Sequence, residues 1–167
     1  MRRKQIRIPD FDYSSPGAYF ITVCVQDRRN LLSQILDAEI SLKPPGNVVL
    51  QTWMSLPVHY PYVEVDEFVV MPNHIHGLVW IRDMQVNRVD VGAGFKPAPT
   101  RHGLSEIARG FKTFSSRKIN ELPTQDSKFA WQRGFYEHVI RDEKDLYDHR
   151  LYIQENPVKW QNDEYYG

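Results

Sequence analysis

The 167-residue chain carries 21 Lys and Arg against 21 Asp and Glu, and is 41% hydrophobic and 25% charged. That is an ordinary globular composition, without the net positive charge of a protein that coats DNA indiscriminately. Mean hydropathy is −0.53, no apolar run approaches the ~20 residues that cross a bilayer, and the basic start MRRKQIRIPDF lacks the apolar stretch of a signal peptide. The single cysteine, Cys24, excludes an internal disulfide and a cysteine-based zinc site. The expectation is a soluble cytoplasmic protein with one domain over residues 1–167.

Ala18 to Val25 is β-branched and aromatic, follows Ser-Ser-Pro-Gly and ends at charged residues, which predicts a strand and a turn. Glu39 to Leu42 reads as a short edge strand stopped by Pro44-Pro45-Gly46, and Asn47 as the N-cap of a helix over 48–56. Val63 to Val70 and His74 to Ile81, broken by Met71-Pro72-Asn73, form an antiparallel hairpin. Residues 83–103 show no periodicity and are rich in Gly, Pro and Ala, a flexible insertion. Ser105 to Asn120 is an amphipathic helix with Ile107, Ala108, Phe111 and Phe114 on one side. A strand follows near Tyr136 to Arg141, and a last helix from Glu143 ends near Asn156, because Pro157 disfavours helical geometry before it. This order predicts an α+β domain, a ferredoxin-like antiparallel sheet with helices packed on one face.

Two stretches carry chemistry. In Met71-Pro72-Asn73-His74-Ile75-His76-Gly77, His74 and His76 are i and i+2 on a strand and project to the same face, where neutral imidazoles suit a divalent metal. The same pattern also fits two partly exposed histidines near a strand start. On the last helix, Asp145, His149, Tyr152 and Asn156 fall in one stripe. A tyrosine hydroxyl is a competent nucleophile once deprotonated, and an amide oxygen is an acceptable ligand for magnesium or manganese. Alternatively, Tyr152 anchors the helix by its ring and Asn156 caps its end. Tyr136, beside Glu137 and His138, is a rival nucleophile, but only Tyr152 has an amide one helical turn away. Tyr136, His138 and His149 are candidates for a supporting shell around the site.

The His-Ile-His segment, Trp131-Gln132-Arg133-Gly134-Phe135-Tyr136-Glu137-His138-Val139-Ile140-Arg141, and Tyr152-Ile153-Gln154-Glu155-Asn156-Pro157-Val158-Lys159-Trp160 together resemble the REP-associated tyrosine transposases, of the single-tyrosine HUH superfamily. Gly17-Ala18-Tyr19-Phe20-Ile21-Thr22 matches as well, so the resemblance runs from about Ile8 to Trp160. It implies one HUH transposase-like domain that nicks and rejoins single-stranded DNA at REP-like hairpins. The expected cofactor is Mg²⁺ or Mn²⁺, and the intermediate a 5′-phosphotyrosine. In that reading Tyr152 is the nucleophile, and His74, His76 and Asn156 hold the metal. A non-catalytic hairpin-DNA-binding protein and a metal hydrolase unrelated to DNA are the alternatives. Candidate phosphate contacts are Arg109 and Lys112 on the middle helix and Arg2, Arg3, Lys4 and Arg7 at the start. The state, monomer or homodimer, is left open by the sequence.

Overall fold

The computed structural model describes residues 8–83, 102–123, 127–163, 165 and 166. The main sheet contains β1 (Gly17–Cys24), β4 (Val63–Val70), β5 (His74–Ile81) and β6 (Tyr136–Val139) in the order β4-β5-β1-β6, every neighbouring pair antiparallel. Two crossover helices, α1 (Pro44–Met54) and α3 (Leu104–Asn120), connect β1 to β4 and β5 to β6. Each crossover skips one strand position, which is the split β-α-β arrangement of the ferredoxin-like fold. The expected α+β class and antiparallel sheet are thus present.

The alternation of β1 explains the layering. Tyr19, Ile21 and Val23 join the larger core, which takes Val49 and Trp53 from α1 and Leu104, Ile107 and Phe111 from α3. Phe20 points the other way, into a smaller core with Leu78 of β5, Val69 of β4, and Ile153 of α4 (Glu143–Glu155). The two crossover helices therefore share one face as expected, while α4 covers the opposite face. Fully burying each large apolar side chain in these cores is worth roughly 1.5–3 kcal/mol. Gly77 permits the close packing of α1: a Cβ there would stand 2.4 Å from the Trp53 ring. Trp53 in turn stacks on Phe68 at 4.5 Å.

Three local expectations are corrected. Glu39–Leu42 (β3) is not an edge of the main sheet; it pairs with Ser33–Leu36 (β2), a strand too short and polar to read from sequence, in a separate hairpin. The first helix starts at Pro44 with Lys43 as N-cap, not Asn47, because prolines suit the first turn, where their missing N–H costs nothing. It ends at Met54, and Leu56–His59 forms a separate turn of helix, α2. Most of the predicted 83–103 insertion lies outside the described residues, as do Arg2, Arg3, Lys4 and Arg7.

Candidate active site

His74 and His76 enter the site from the first and third positions of β5, on the face away from α1 and α3. Both are buried, at 0% and 1% exposure, so the reading of two partly exposed histidines is set aside. Their Nε2 atoms face each other at 3.0 Å. Each Nδ1 is held from behind: that of His74 by Asn73 Oδ1 at 2.8 Å, and that of His76 by Thr22 Oγ1 at 2.7 Å. An amide oxygen only accepts, so His74 Nδ1 carries the proton and its Nε2 presents a lone pair to the site. Burial pushes His76 down to about 3 and His74 well below the usual imidazole range, with His76 and Arg28 adding to the effect on His74. Both imidazoles are neutral at physiological pH, the form that binds metal.

The β1 ladder aligns the surroundings. Thr22 pairs with His76 on one side and Tyr136 on the other; Phe20 pairs with Leu78 and His138. Directly paired residues share a face, so Tyr136 and His138 stand on the histidine face, as their spacing predicts, and buried Glu137 points away. Phe20 forms the floor, with the rings of His76, His149 and Tyr152 at 5.4, 4.8 and 5.9 Å.

α4 delivers the remaining groups. Asp142 caps its start by accepting from the Asp145 N–H at 2.8 Å. Arg150 and Asp66 of β4 form a two-point ion pair at 2.6 and 2.9 Å, and Asp66 also accepts from Trp80 Nε1. This pins the helix to the sheet two residues before Tyr152. The Tyr152 hydroxyl lies 3.5 Å from His76 Nε2, a close approach rather than a firm hydrogen bond. Its side chain is 39% exposed and opens onto a cavity of about 780 Å³, also lined by Thr22, His76, Tyr136, His149 and Asn156. Asn156 is buried, and its Oδ1 has no hydrogen-bond partner among the described residues.

A divalent cation fits this donor set. Cis ligands at the ~2.1 Å of an octahedral Mg²⁺ site are about 3.0 Å apart, which is the His74–His76 separation. A buried amide oxygen without a partner is a costly arrangement that an ion would relieve. Asp163 offers a carboxylate within 4.8 Å of both imidazoles, a ligand that sequence spacing did not flag because it lies beyond the tyrosine helix.

Other groups were also missed. Asn73 ties the tail to the histidine strand, donating to the Tyr165 carbonyl at 2.8 Å, and the Tyr165 ring covers His74 at 4.5 Å. Thr22 carried a detectable signal: the one aliphatic hydroxyl in a strand otherwise of apolar and aromatic side chains. Lys159, paired with Glu155, lines the cavity. The expected phosphate contacts on α3 are not brought to the cavity, since that helix packs on the opposite face. Arg109 is exposed and paired with Glu106, while the Lys112 ammonium donates to the carbonyls of Gln132 and Arg133 at 2.6 and 2.8 Å.

No family model matches the chain. An uncharacterized protein of Haemophilus influenzae is 36% identical over 172 residues, spanning 98% of this chain and 93% of its own length. A second H. influenzae protein, assigned to the REP-associated tyrosine transposases, is 32% identical over 89% of this chain and 74% of its own. The REP-associated tyrosine transposase of Escherichia coli is 28% identical over 88% and 70%. Among solved structures, a REP-associated tyrosine transposase bound to a REP hairpin superposes with TM-score 0.62 at 24% identity, over 93% of this chain and 74% of that one. A Deinococcus radiodurans protein assigned as a transposase gives TM-score 0.51 at 13% identity, over 90% and 96%. On the level and extent of these identities, this chain belongs to the REP-associated tyrosine transposase family.

Proposed function

We propose that this transposase nicks and rejoins single-stranded DNA at REP-like hairpins, with Tyr152 as nucleophile and His74, His76 and Asn156 as ligands of Mg²⁺ or Mn²⁺. The observation that carries the proposal is the placement of the Tyr152 hydroxyl 3.5 Å from His76 Nε2, at the wall of an open cavity. Family membership supports the transposase role, and a hairpin-bound relative supports the hairpin substrate.

In the proposed step the Tyr152 oxygen bonds to phosphorus as the bond from phosphorus to the 3′ oxygen breaks. The phenolic proton is lost, and the departing oxygen takes up a proton to become a free 3′-hydroxyl. The new phosphotyrosine keeps the energy of the phosphodiester, so rejoining is the reverse displacement and needs no ATP. Held by His74, His76 and Asn156, a divalent ion would supply Lewis-acid polarisation of a non-bridging phosphate oxygen. Thr22 and Asn73 hold the imidazoles in orientation. Phe20 fixes the distance between the tyrosine ring and the histidine pair. The Asp66–Arg150 clamp restrains α4, because a misplaced nucleophile forfeits much of its advantage. Lys159 at the cavity and the N-terminal Arg2, Arg3, Lys4 and Arg7 are the proposed phosphate contacts; Arg109, on the opposite face, would reach only DNA that extends away from the cavity, and Lys112 holds the 132–134 backbone.

The test is incubation with single-stranded oligonucleotides from the gene's flanks and Mn²⁺, followed by a denaturing gel. The wild type should give a covalent protein–DNA adduct, and Tyr152→Phe none while still binding the hairpin. Hairpin binding without an adduct in the wild type would instead mark a non-catalytic binder.

A further inference from the structure

A second group of metal-ligating side chains lies on the same sheet face, separated from the His74–His76 pair by the Phe20 ring. It consists of His138 on β6 and Asp145 and His149 on the first two turns of α4. His138 Nε2 stands 2.9 and 3.1 Å from the two Asp145 carboxylate oxygens. His149 Nδ1 stands 3.0 Å from Oδ1 and 2.8 Å from the Asp145 carbonyl. The Arg141 N–H also donates to the carboxylate, at 3.0 Å. The two imidazoles stack, with centroids 4.6 Å apart and planes at 18°.

We propose that His138, Asp145 and His149 form a second cation site, selective for a borderline-soft divalent ion such as Zn²⁺, that staples β6 to the tyrosine helix. This goes beyond the nicking reaction and does not depend on it. Three features carry it. One ligand atom from each residue lies within 4.8 Å of the others. The imidazole–carboxylate separations match those between ligands at 2.0–2.1 Å around one ion, about 2.9 Å for octahedral and about 3.3 Å for tetrahedral geometry. Side-chain exposures of 27, 20 and 21% leave one side open, so water can complete the shell.

Two imidazoles and one carboxylate suit zinc better than magnesium, which prefers oxygen. The set also carries one negative charge when both rings are neutral, which favours cation entry. On binding, each ring keeps its single proton by moving it to its other nitrogen, and the ion replaces two N–H···O bonds to the same carboxylate. Because the ligands come from different elements, occupancy ties the edge strand to the helix three residues before Tyr152.

The experiment is zinc titration by calorimetry, with metal analysis after dialysis against micromolar Zn²⁺, on wild type, His138→Gln, His149→Gln and His74→Ala/His76→Ala. Wild type should bind two ions per chain, and each of the three variants one. In the glutamine variants, which each remove a direct ligand, the lost step should vanish from the titration. Zinc should also raise the Tm of the double alanine variant, and adding His138→Gln should abolish that rise. The glutamine changes are at partly exposed positions, so they report even if the double variant does not fold. Zinc binding in the wild type, whether one ion or two, that His138→Gln and His149→Gln leave undiminished would overturn the proposal.

Discussion

Thr22 Oγ1 and His76 Nδ1 lie 2.7 Å apart across the β1–β5 ladder, a buried contact that fixes the rotation of a proposed metal ligand. Thr22→Val keeps the shape of the side chain and removes the hydroxyl. Divalent-ion affinity at the His74–His76 pair should fall roughly 10- to 100-fold, the usual cost of losing an outer-shell partner. Stability should fall by about 1–3 kcal/mol, because a buried ring nitrogen loses its partner. Calorimetric titration with Mn²⁺ and urea unfolding check the two outcomes.

Asn156 separates metal binding from folding. Its Oδ1 has no hydrogen-bond partner among the described residues, so that oxygen adds no hydrogen bond from them to the ion-free fold. A ligand that binds only the native state raises apparent stability. Asn156→Ala should therefore shrink the Tm gain produced by Mn²⁺ far more than it lowers the ion-free Tm. Equal Mn²⁺-induced shifts in wild type and variant would remove Asn156 from the ligand set.

The clamp between β4 and α4 gives a pH dependence of defined sign. The Arg150 guanidinium holds Asp66 down at about 2, against an ordinary value of 3.8. A depressed carboxylate stabilises the fold above its unfolded pKa and loses that contribution as pH falls through the folded value. The contribution, about 1–2 kcal/mol after allowing for solvent screening on the Arg150 side, is present above pH ~4 and lost progressively toward pH 2. Asp66→Asn should remove this part of the acid dependence and lower adduct formation, since α4 is no longer held. Urea midpoints at pH 5 and pH 3 for both proteins measure the first effect.

Gly77 follows the second histidine because α1 rests its tryptophan on that point of β5. Gly77→Ala places a methyl carbon 2.4 Å from the Trp53 ring, which must then move against Phe68 and Phe111. Overpacking of this kind costs about 1–3 kcal/mol, and the displaced strand carries His76 with it. Thermal unfolding should show a lower Tm, together with weaker Mn²⁺ binding.

Hydrophobic period and turn chemistry sufficed for β1, β4, β5, α3 and α4, because each has a run long enough to show its pattern, and the four-residue β6 was legible from its aromatic and β-branched composition. β2 escaped because Ser33-Gln34-Ile35-Leu36 is four residues with no alternation. The start of α1 escaped because two prolines read as a breaker when they sit in the first helical turn. In the site, the histidine pair and the tyrosine stripe were legible as same-face spacings within one element. Thr22, Phe20, Asp163 and Asn73 act across elements, and their roles follow from strand register and the path of the tail, which local spacing does not encode. The placement of α4 opposite α1 and α3 was likewise a tertiary outcome, and it is what brings Tyr152 to the histidine face.

The assignment of Tyr152 as the attacking group is tested most directly by tryptic digestion and mass spectrometry of the adduct formed with a single-stranded hairpin oligonucleotide and Mn²⁺. The nucleotide should reside on the peptide spanning residues 151–159, attached through the phenolic oxygen of Tyr152. Attachment to the peptide of residues 134–141, which carries Tyr136, or a wild-type protein that yields no covalent product, would contradict it.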